Sequence, residues 1–503
     1  MKTDYIIVQA GGKGTRMEYL TKNKPKSLVP VNNLPMLFHL LRKYPNKKFI
    51  IIGDYKYDVL KKYMKTFADV KYMLVDARGF AGTCAGITKA ISYIPDNERF
   101  MLIWSDLILS KDFEIPDDYD NYIGLSGDFL CRWKYENHVL TEESSVERGV
   151  AGLFIFKDKS EIIDVPVEGE FVRWLSQKNI DFKEFRLKKT KEYGLLSEYK
   201  KIASSKCRPF NSITEEDGKL IKEGIDEQGK KLAVREKAWY KFVEPLGFKD
   251  IPHIYSYEPF VMEKVEGKNI YEYELNLEQK ELVLVRIVDM LKRLHTLGGE
   301  INTDYFSMQE AYMDKTFDRL DKIRDLVPFA DQEYIEINGR KCHNVFFCKE
   351  LLETKIAEIQ ANNFVLIHGD CTFSNLMLRD KNYEPLLIDP RGYFGYTEMY
   401  GDVAYDWAKL YYSIVGNYDH FNMKDFKLTI DEDKKQINLD IGSNGWEDME
   451  EMFLELIEKD VDVKTIKLIH GIIWLSLTTY AWEDYDSICG AFYNGLYYLE
   501  EIW

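Results

Sequence analysis

Apolar residues in the first hundred positions fall in short continuous runs rather than in alternation. Tyr5–Gln9 reads YIIVQ, residues 49–53 read FIIIG and Phe100–Trp104 reads FMLIW, with helical-length stretches between them. Strands apolar on both faces are buried on both faces, so this rhythm predicts a parallel α/β sheet covered by helices. Beyond residue 210 the pattern changes. Residues 210–212 and 219–222 flank Glu216-Asp217-Gly218 and predict a β-hairpin. Residues 277–297 and 351–361 carry helical apolar spacing, and residues 364–367 and 385–388 read as short buried strands. Residues 466–482 are the most apolar late stretch, but Lys467, His470 and a Thr pair mark a buried helix rather than a membrane span. Residues 198–209, EYKKIASSKCRP, lose all periodicity and predict a short linker. The expected organisation is an α/β domain over residues 1–204 and an α+β domain over residues 205–503.

A chain of 503 residues has room for two complete cores. Its net charge of −16 disfavours a nucleic-acid surface, which rests on clustered Lys and Arg, so any phosphate ligand must be held locally. The seven cysteines lack paired metal spacing; Cys342-His343 with Cys348 has no second pair for zinc, and reduced thiols are expected. Met1 leads directly into a strand, without the pattern of a secretory leader, and no window suits membrane insertion. These features predict a cytoplasmic protein.

The first strand runs into AGGKGTRM, where Gly11, Gly12 and Gly14 let backbone N–H groups approach a triphosphate closely. Arg16 and Lys26 add positive charge, and Asp106 follows the strand ending at Trp104, where α/β sheets place their ligands. Residues 1–204 resemble the nucleotidyltransferase superfamily of sugar-phosphate nucleotidylyltransferases and phosphocholine cytidylyltransferases. The resemblance implies a Rossmann-like nucleotidyltransferase domain. Its signature loop falls on Gly11 to Arg16, including Thr15, its catalytic lysine on Lys26, and its base-contacting segment on Gly82-Thr83, with Gln9 nearby. It also implies Mg²⁺, with Asp106 as the first metal carboxylate. The second usually lies in a late W-x-D-x-G-T motif; here KEYGLLSEY offers Glu192.

Residues 364–392, FVLIHGDCTFSNLMLRDKNYEPLLIDPRG, place Asp370, Asn375 and Asp389 at spacings that phosphoryl transfer uses. In kinase chemistry the first aspartate takes or orients the hydroxyl proton, while the asparagine and last aspartate hold Mg²⁺ against the phosphates. The H-G-D-x-x-x-x-N pattern followed by I-D resembles the aminoglycoside phosphotransferase and choline kinase family. That resemblance implies a protein-kinase-like α+β domain. On it Ser212 lies in a hairpin over the phosphates, Lys222 positions them, Glu236 is the helix partner of Lys222, and backbone groups near Glu263 and Val265 meet adenine. Asp402 and Asp406, in GDVAYDWAKL, become supports of the catalytic loop. Arg391 hints at an anionic or polyhydroxylated acceptor. The late aromatics Trp407, Tyr411, Tyr412, Trp474, Tyr480, Trp482 and Tyr485 read as core first and as a quaternary-ammonium cage second.

Together these readings predict a bifunctional enzyme. One unit phosphorylates a small alcohol, sugar or amino alcohol with ATP, and the other transfers a nucleotidyl group onto that phosphate, with CTP chosen as donor. CDP-choline synthesis, a sugar-1-kinase joined to a sugar-1-phosphate nucleotidylyltransferase, and a non-catalytic nucleotide sensor are the alternatives.

Overall fold

The computed structural model describes residues 3–194, 196, 211–225 and 227–503. The linker expected over residues 198–209 lies outside the described residues. The chain divides into two compact units, Met1–Ser205 with Glu483–Asp486, and Lys206–Trp482 with Ser487–Trp503.

The first unit is built on seven strands: β1 (Tyr5–Gln9), β2 (Lys48–Gly53), β3 (Lys71–Asp76), β4 (Phe100–Trp104), β5 (Tyr122–Ser126), β6 (Val150–Phe156) and β7 (Lys183–Leu187), in the order β7-β5-β6-β4-β1-β2-β3. The apolar runs occupy its centre: Ile6, Ile7 and Val8 of β1 and Phe100 to Ile103 of β4 are fully buried. The edge strand β3 buries only Val75 completely and carries charge at both ends, which discourages pairing with another chain. Helix α1 (Met36–Lys43) buries five of its eight residues, and α2 (Tyr57–Phe67) buries Leu60, Tyr63 and Met64, neighbours on one helical face. Short α3 (Ile87–Ser92) and α4 (Phe171–Leu175) complete the cover. Strand β1 pairs in parallel with β2 on one side and β4 on the other, so the strand order reverses direction between β1 and β4. Crevices at such switch points, beyond the carboxyl ends of the strands, are where α/β sheets bind ligands.

The second unit begins with β8 (Asn211–Glu216) and β9 (Lys219–Gly224), joined at Asp217 (φ 49°) and Gly218 (φ 71°). Two consecutive positive φ values make the tight hairpin turn that Asp-Gly favours. With β10 (Ile254–Tyr257) and β11 (Phe260–Glu263) they form an antiparallel sheet in the order β8-β9-β11-β10, against which α5 (Glu227–Val243) packs. The helical part contains α6 (Leu277–His295), opened by an Asn276/Gln279 capping box, α7 (Lys315–Ile323), α8 (Val403–Ile414) and the buried α9 (Val463–Leu477). Strands β12 (Asn363–Leu366), β13 (Leu376–Arg379) and β14 (Pro385–Leu387) carry the central loops. A further sheet of Tyr334–Ile337, Arg340–His343, Phe426–Asp431 and Gln436–Ile441 was not anticipated from the apolar pattern. Trp407, Tyr411, Tyr412, Trp474 and Tyr485 are core residues; Tyr412 also borders a cavity, as does the exposed Tyr480.

Candidate active sites

In the first unit, parallel pairing sets Gln9 beside Trp104, so the glycine turn and the loop carrying Asp106 leave adjacent strand ends. Gly14 takes φ 63°, and a Cβ there would lie 3.0 Å from the Cβ of Lys26. The turn thus closes onto a buried short helix, Lys26–Leu28. The Lys26 ammonium donates to Asp106 Oδ2 at 2.5 Å. Glu192 comes from residues far along the chain: Lys191–Glu192 pairs antiparallel with Leu107–Ile108, and Tyr193 N–H donates to Asp106 O. Burial, then the charge of Asp106, push the Glu192 carboxyl above its usual range; Lys26 and Arg16 oppose this. Two mutually repelling carboxylates are hard oxygen donors suited to Mg²⁺, so the side chains fit the implied metal. Arg16 and Thr15 are exposed on the loop beside them, while Gly12 has open space around it.

The segment expected to contact the base, Gly82-Thr83, is held from below. Gly82 has φ 88°, and a Cβ there would collide with Gly169 O. Thr83 Oγ1 accepts the Phe171 N–H at 2.8 Å. Gln9 Nε2 donates to Thr83 O at 2.6 Å and Ala85 O at 3.2 Å, so its amide N–H groups brace this segment rather than face a base.

In the second unit, Lys222 of β9 reaches Glu236 of α5 (2.8 and 3.0 Å) and Asp389 Oδ1 (2.5 Å). Burial disfavours the Lys222 charge, but the two carboxylates outweigh it and raise its pKa. One cation between two acids leaves an excess negative charge. Burial first, and then Asp389, push Glu236 up to about 7 against the pull of Lys222. Asp389 stands at φ 54°, a left-handed conformation that Asp tolerates better than most residues, and about half of its side chain is exposed.

The loop after β12 is fixed by Asp406. Its carboxylate accepts the N–H groups of His368 (2.9 Å) and Gly369 (2.7 Å) and pairs with His295 (3.1 Å). His368 is buried and held below its usual pKa mainly by burial, and its Nδ1 accepts the Asp370 N–H. Asp370 Oδ1 meets Lys409 at 2.9 Å, and Asp370 accepts Asn375 Nδ2–H at its backbone O (2.7 Å) and at Oδ2 (3.1 Å). Ile388 N–H donates to Asn375 O, which ties Asn375 to the strand end presenting Asp389. The Asn375 amide oxygen and the Asp389 carboxylate are again oxygen donors appropriate to Mg²⁺. Asp402 caps α8 through Ala404 N–H and accepts the Tyr312 hydroxyl.

Two of the proposed nucleotide contacts stand apart from this cluster. Ser212 pairs across the hairpin with Glu223, and Ile213 with Lys222, so strand alternation puts Ser212 on the face opposite Lys222. Glu263 donates its N–H to His253 O and pairs its carboxylate with Arg379 at 2.7 Å, so a nucleobase contact in this segment falls to the Glu263 carbonyl and the backbone of Val265. Sequence reasoning also passed over Lys409, although it stands three residues after Asp406 on α8, and Lys315 and Arg319 on α7. These three line a cavity of about 290 Å³ with Asp370, Asp389 and Arg391.

Residues 5–126 match the family model described as nucleotidyl transferase, and residues 227–428 match the phosphotransferase enzyme family. The D-glycero-alpha-D-manno-heptose 1-phosphate guanylyltransferase of Campylobacter jejuni is 33% identical over 112 residues, covering 21% of this chain and 50% of that protein. The glucose-1-phosphate cytidylyltransferase of Salmonella typhimurium is 27% identical over 139 residues, 22% of this chain and 54% of its own length. A bifunctional protein GlmU of Methanococcus maripaludis is 28% identical over 123 residues, 24% of this chain and 29% of its length. The chain therefore spans between about a third and a half of the curated relatives it matches.

Proposed function

We propose that this chain, which joins a nucleotidyl transferase family segment to a phosphotransferase enzyme family segment, is a bifunctional enzyme that phosphorylates a small alcohol and then activates the phosphate with a nucleotide. The observation that carries the reading is a separate lysine–carboxylate centre in each unit, Lys26 with Asp106 and Glu192, and Lys222 with Glu236 and Asp389 beside Asp370. We assign the two activities to residues 1–204 and 205–503 and place the enzyme in the cytoplasm, where its nucleotide substrates are made. Among the described residues no helix is long and apolar enough to cross a membrane.

In the second unit the acceptor hydroxyl oxygen attacks the γ-phosphorus of ATP. A new P–O bond forms, the β–γ bridging bond breaks, and ADP departs. Asp370 receives the hydroxyl proton, with Lys409 and Asn375 fixing its carboxylate. Lys222, steadied by Glu236, positions the phosphates. In the first unit an oxygen of the new phosphate attacks the α-phosphorus of CTP, and pyrophosphate leaves as the α–β bridge breaks. Lys26 steadies the reacting phosphate, and the Gly11–Arg16 loop with Thr15 holds the departing pyrophosphate. Asp106 and Glu192 in one unit, and Asn375 and Asp389 in the other, would hold Mg²⁺, which would supply neutralising charge to the phosphate oxygens. The product is a nucleoside-diphosphate building block for a surface polysaccharide or lipid.

CTP as donor is supported by the similarity to the Salmonella cytidylyltransferase, and GTP is the second reading because the Campylobacter relative is a guanylyltransferase. The full chain should be given ATP, an acceptor panel, and all four nucleoside triphosphates at equal concentration, with products read by mass spectrometry. A phosphorylated acceptor followed by its CMP conjugate supports the reading. A GMP conjugate replaces the donor alone, and nucleotidylation of an acceptor never phosphorylated by this chain overturns the coupled function.

A further inference from the structure

The cavity beside Asp370 has a charge pattern that the phosphotransfer machinery does not use up. Lys222 is taken by Glu236 and Asp389, and Lys409 by Asp370. Three more cations line the same cavity, Lys315, Arg319 and Arg391, none of them in an ion pair with a carboxylate among the described residues, although Asp370 pulls on Arg391 from a distance. Arg391 donates to the Tyr405 hydroxyl at 2.9 Å and lies over the Tyr393 ring. Arg319 donates to the carbonyl and hydroxyl oxygens of Ser476. The ammonium of Lys315, at the start of α7, makes no hydrogen bond or ion pair with any described residue. It is enclosed by protein yet open to the cavity, a costly position for an ammonium with no counter-charge.

The electrostatics run the same way. Burial, followed by Arg391, Arg319 and Lys409, depresses the Lys315 pKa well below its usual range, against a weaker pull from Glu310. Glu310 accepts the Tyr396 hydroxyl and lies beyond ion-pair distance from Lys315. Burial also leads the lowering at Arg319, with Arg391 next. Arg391 in turn leads the causes that hold the Tyr393 phenol below its normal value. A cavity this positive repels a quaternary ammonium, whatever its tyrosine content, and a small anion would satisfy Lys315, Arg319 and Arg391 together. Its volume, near 290 Å³, equals that of roughly ten waters, enough for a small acidic metabolite.

We infer that the alcohol phosphorylated by the second unit carries an anionic group, a phosphate monoester or a carboxylate, received by Lys315 and Arg319 while its hydroxyl lies against Asp370. This rests on the phosphotransferase reading proposed above and narrows its substrate class. Phosphoryl transfer is unchanged in its atoms: the hydroxyl proton goes to Asp370, the γ-phosphoryl to the acceptor oxygen, and ADP leaves.

The test uses the full chain saturated with Mg·AMP-PNP, titrated calorimetrically with inorganic phosphate, acetate and tetramethylammonium. Phosphate or acetate should occupy a saturable site in the millimolar range or tighter, and tetramethylammonium should not. Lys315→Met should weaken the anion by roughly 30-fold or more, as loss of one partner from a desolvated charge contact does, and Lys315→Arg should restore it. Preference for phosphate assigns a phosphorylated acceptor, and preference for acetate a carboxylated one. The inference falls if neither anion saturates the site, if Lys315→Met binds them as the wild type does, or if tetramethylammonium takes the site. Failure to detect any Mg·AMP-PNP binding that Lys222→Met removes would instead sink the phosphotransferase reading itself.

Discussion

Replacing Glu236 by Gln changes one proton and almost nothing in shape, which makes it a direct probe of the Lys222–Glu236–Asp389 cluster. The Glu236 carboxyl rises from 4.5 to about 7 in the folded unit, through burial first and then Asp389. A raised folded-state pKa favours the neutral acid. Its stabilising contribution is therefore complete below pH 4.5, declines as the unfolded chain ionises, and is gone once pH passes about 7. The difference amounts to ~3 kcal/mol, at about 1.36 kcal/mol for each pH unit by which the carboxyl is raised. The Glu236→Gln variant would have no such dependence. Thermal unfolding of wild type and variant, followed from pH 4.5 to 8, should show the wild-type transition of the second unit falling relative to the variant, by ~2–4 °C per kcal/mol. MgADP engaging Asp389 removes one cause of the raised pKa, so its binding near pH 7 should release protons in the wild type and fewer in the variant. Calorimetry in buffers of different ionisation heat reads that number. Parallel pH curves for the two proteins would refute the reasoning.

Asp370→Asn should lower acceptor phosphorylation by about 10²–10⁴-fold, the scale of a positioned base, while pyrophosphate release from a pre-phosphorylated acceptor continues; loss of both activities in a folded protein would contradict two separate sites. Lys26→Ala should do the reverse, stopping pyrophosphate release and sparing ADP formation, read in the same two assays. Gly82→Ala forces a Cβ into Gly169 O at φ 88°, so it should destabilise the first unit by ~1–3 kcal/mol and weaken nucleoside triphosphate binding, checked by thermal shift and titration.

How much of this was legible depended on whether neighbours in space were neighbours in sequence. The central strands were, because both-face burial leaves continuous apolar runs, and the β8–β9 hairpin was, because Asp217-Gly218 suits the positive φ values of its turn. The loop holding Asp370 and Asn375 and the glycine turn at Gly11–Gly14 each carry their own spacing, and the family segments they suggested are matched. The unanticipated sheet has one local signal, Asn338-Gly339 with φ 49° and 77°, but its other strands lie about a hundred residues away. Lys315 and Lys409 belong to separate helices that meet only at the cavity wall, and no spacing rule joins them. The commitments of Ser212 and Glu263 depend on strand register and on Arg379, more than a hundred residues from Glu263. Apolar periodicity reports which face is buried, not which polar partner waits there.

The two units repeat one electrostatic arrangement on unrelated folds, and it has a testable consequence of unusual sign. In each, the lysine proposed to meet phosphate is paired at 2.5 Å with the aspartate proposed to meet Mg²⁺, Lys26 with Asp106 and Lys222 with Asp389. A nucleotide arriving without metal must draw the lysine away and leave that carboxylate uncompensated in a partly desolvated site, which is costly. A metal nucleotide exchanges both partners at once, lysine to phosphate and aspartate to cation, and leaves no charge bare. Removing the carboxylate should therefore help the metal-free ligand even as it abolishes catalysis. With EDTA present, Asp106→Asn should bind CTP about 10-fold more tightly than the wild type, and Asp389→Asn should do the same for ATP, the scale of one freed charge contact. With Mg²⁺ in excess the order should invert, both variants binding more weakly than the wild type. Equilibrium titrations of the full chain under the two conditions decide the matter: variants that bind metal-free nucleotide no better than the wild type would show that the lysine–aspartate pairs do not gate the phosphate sites.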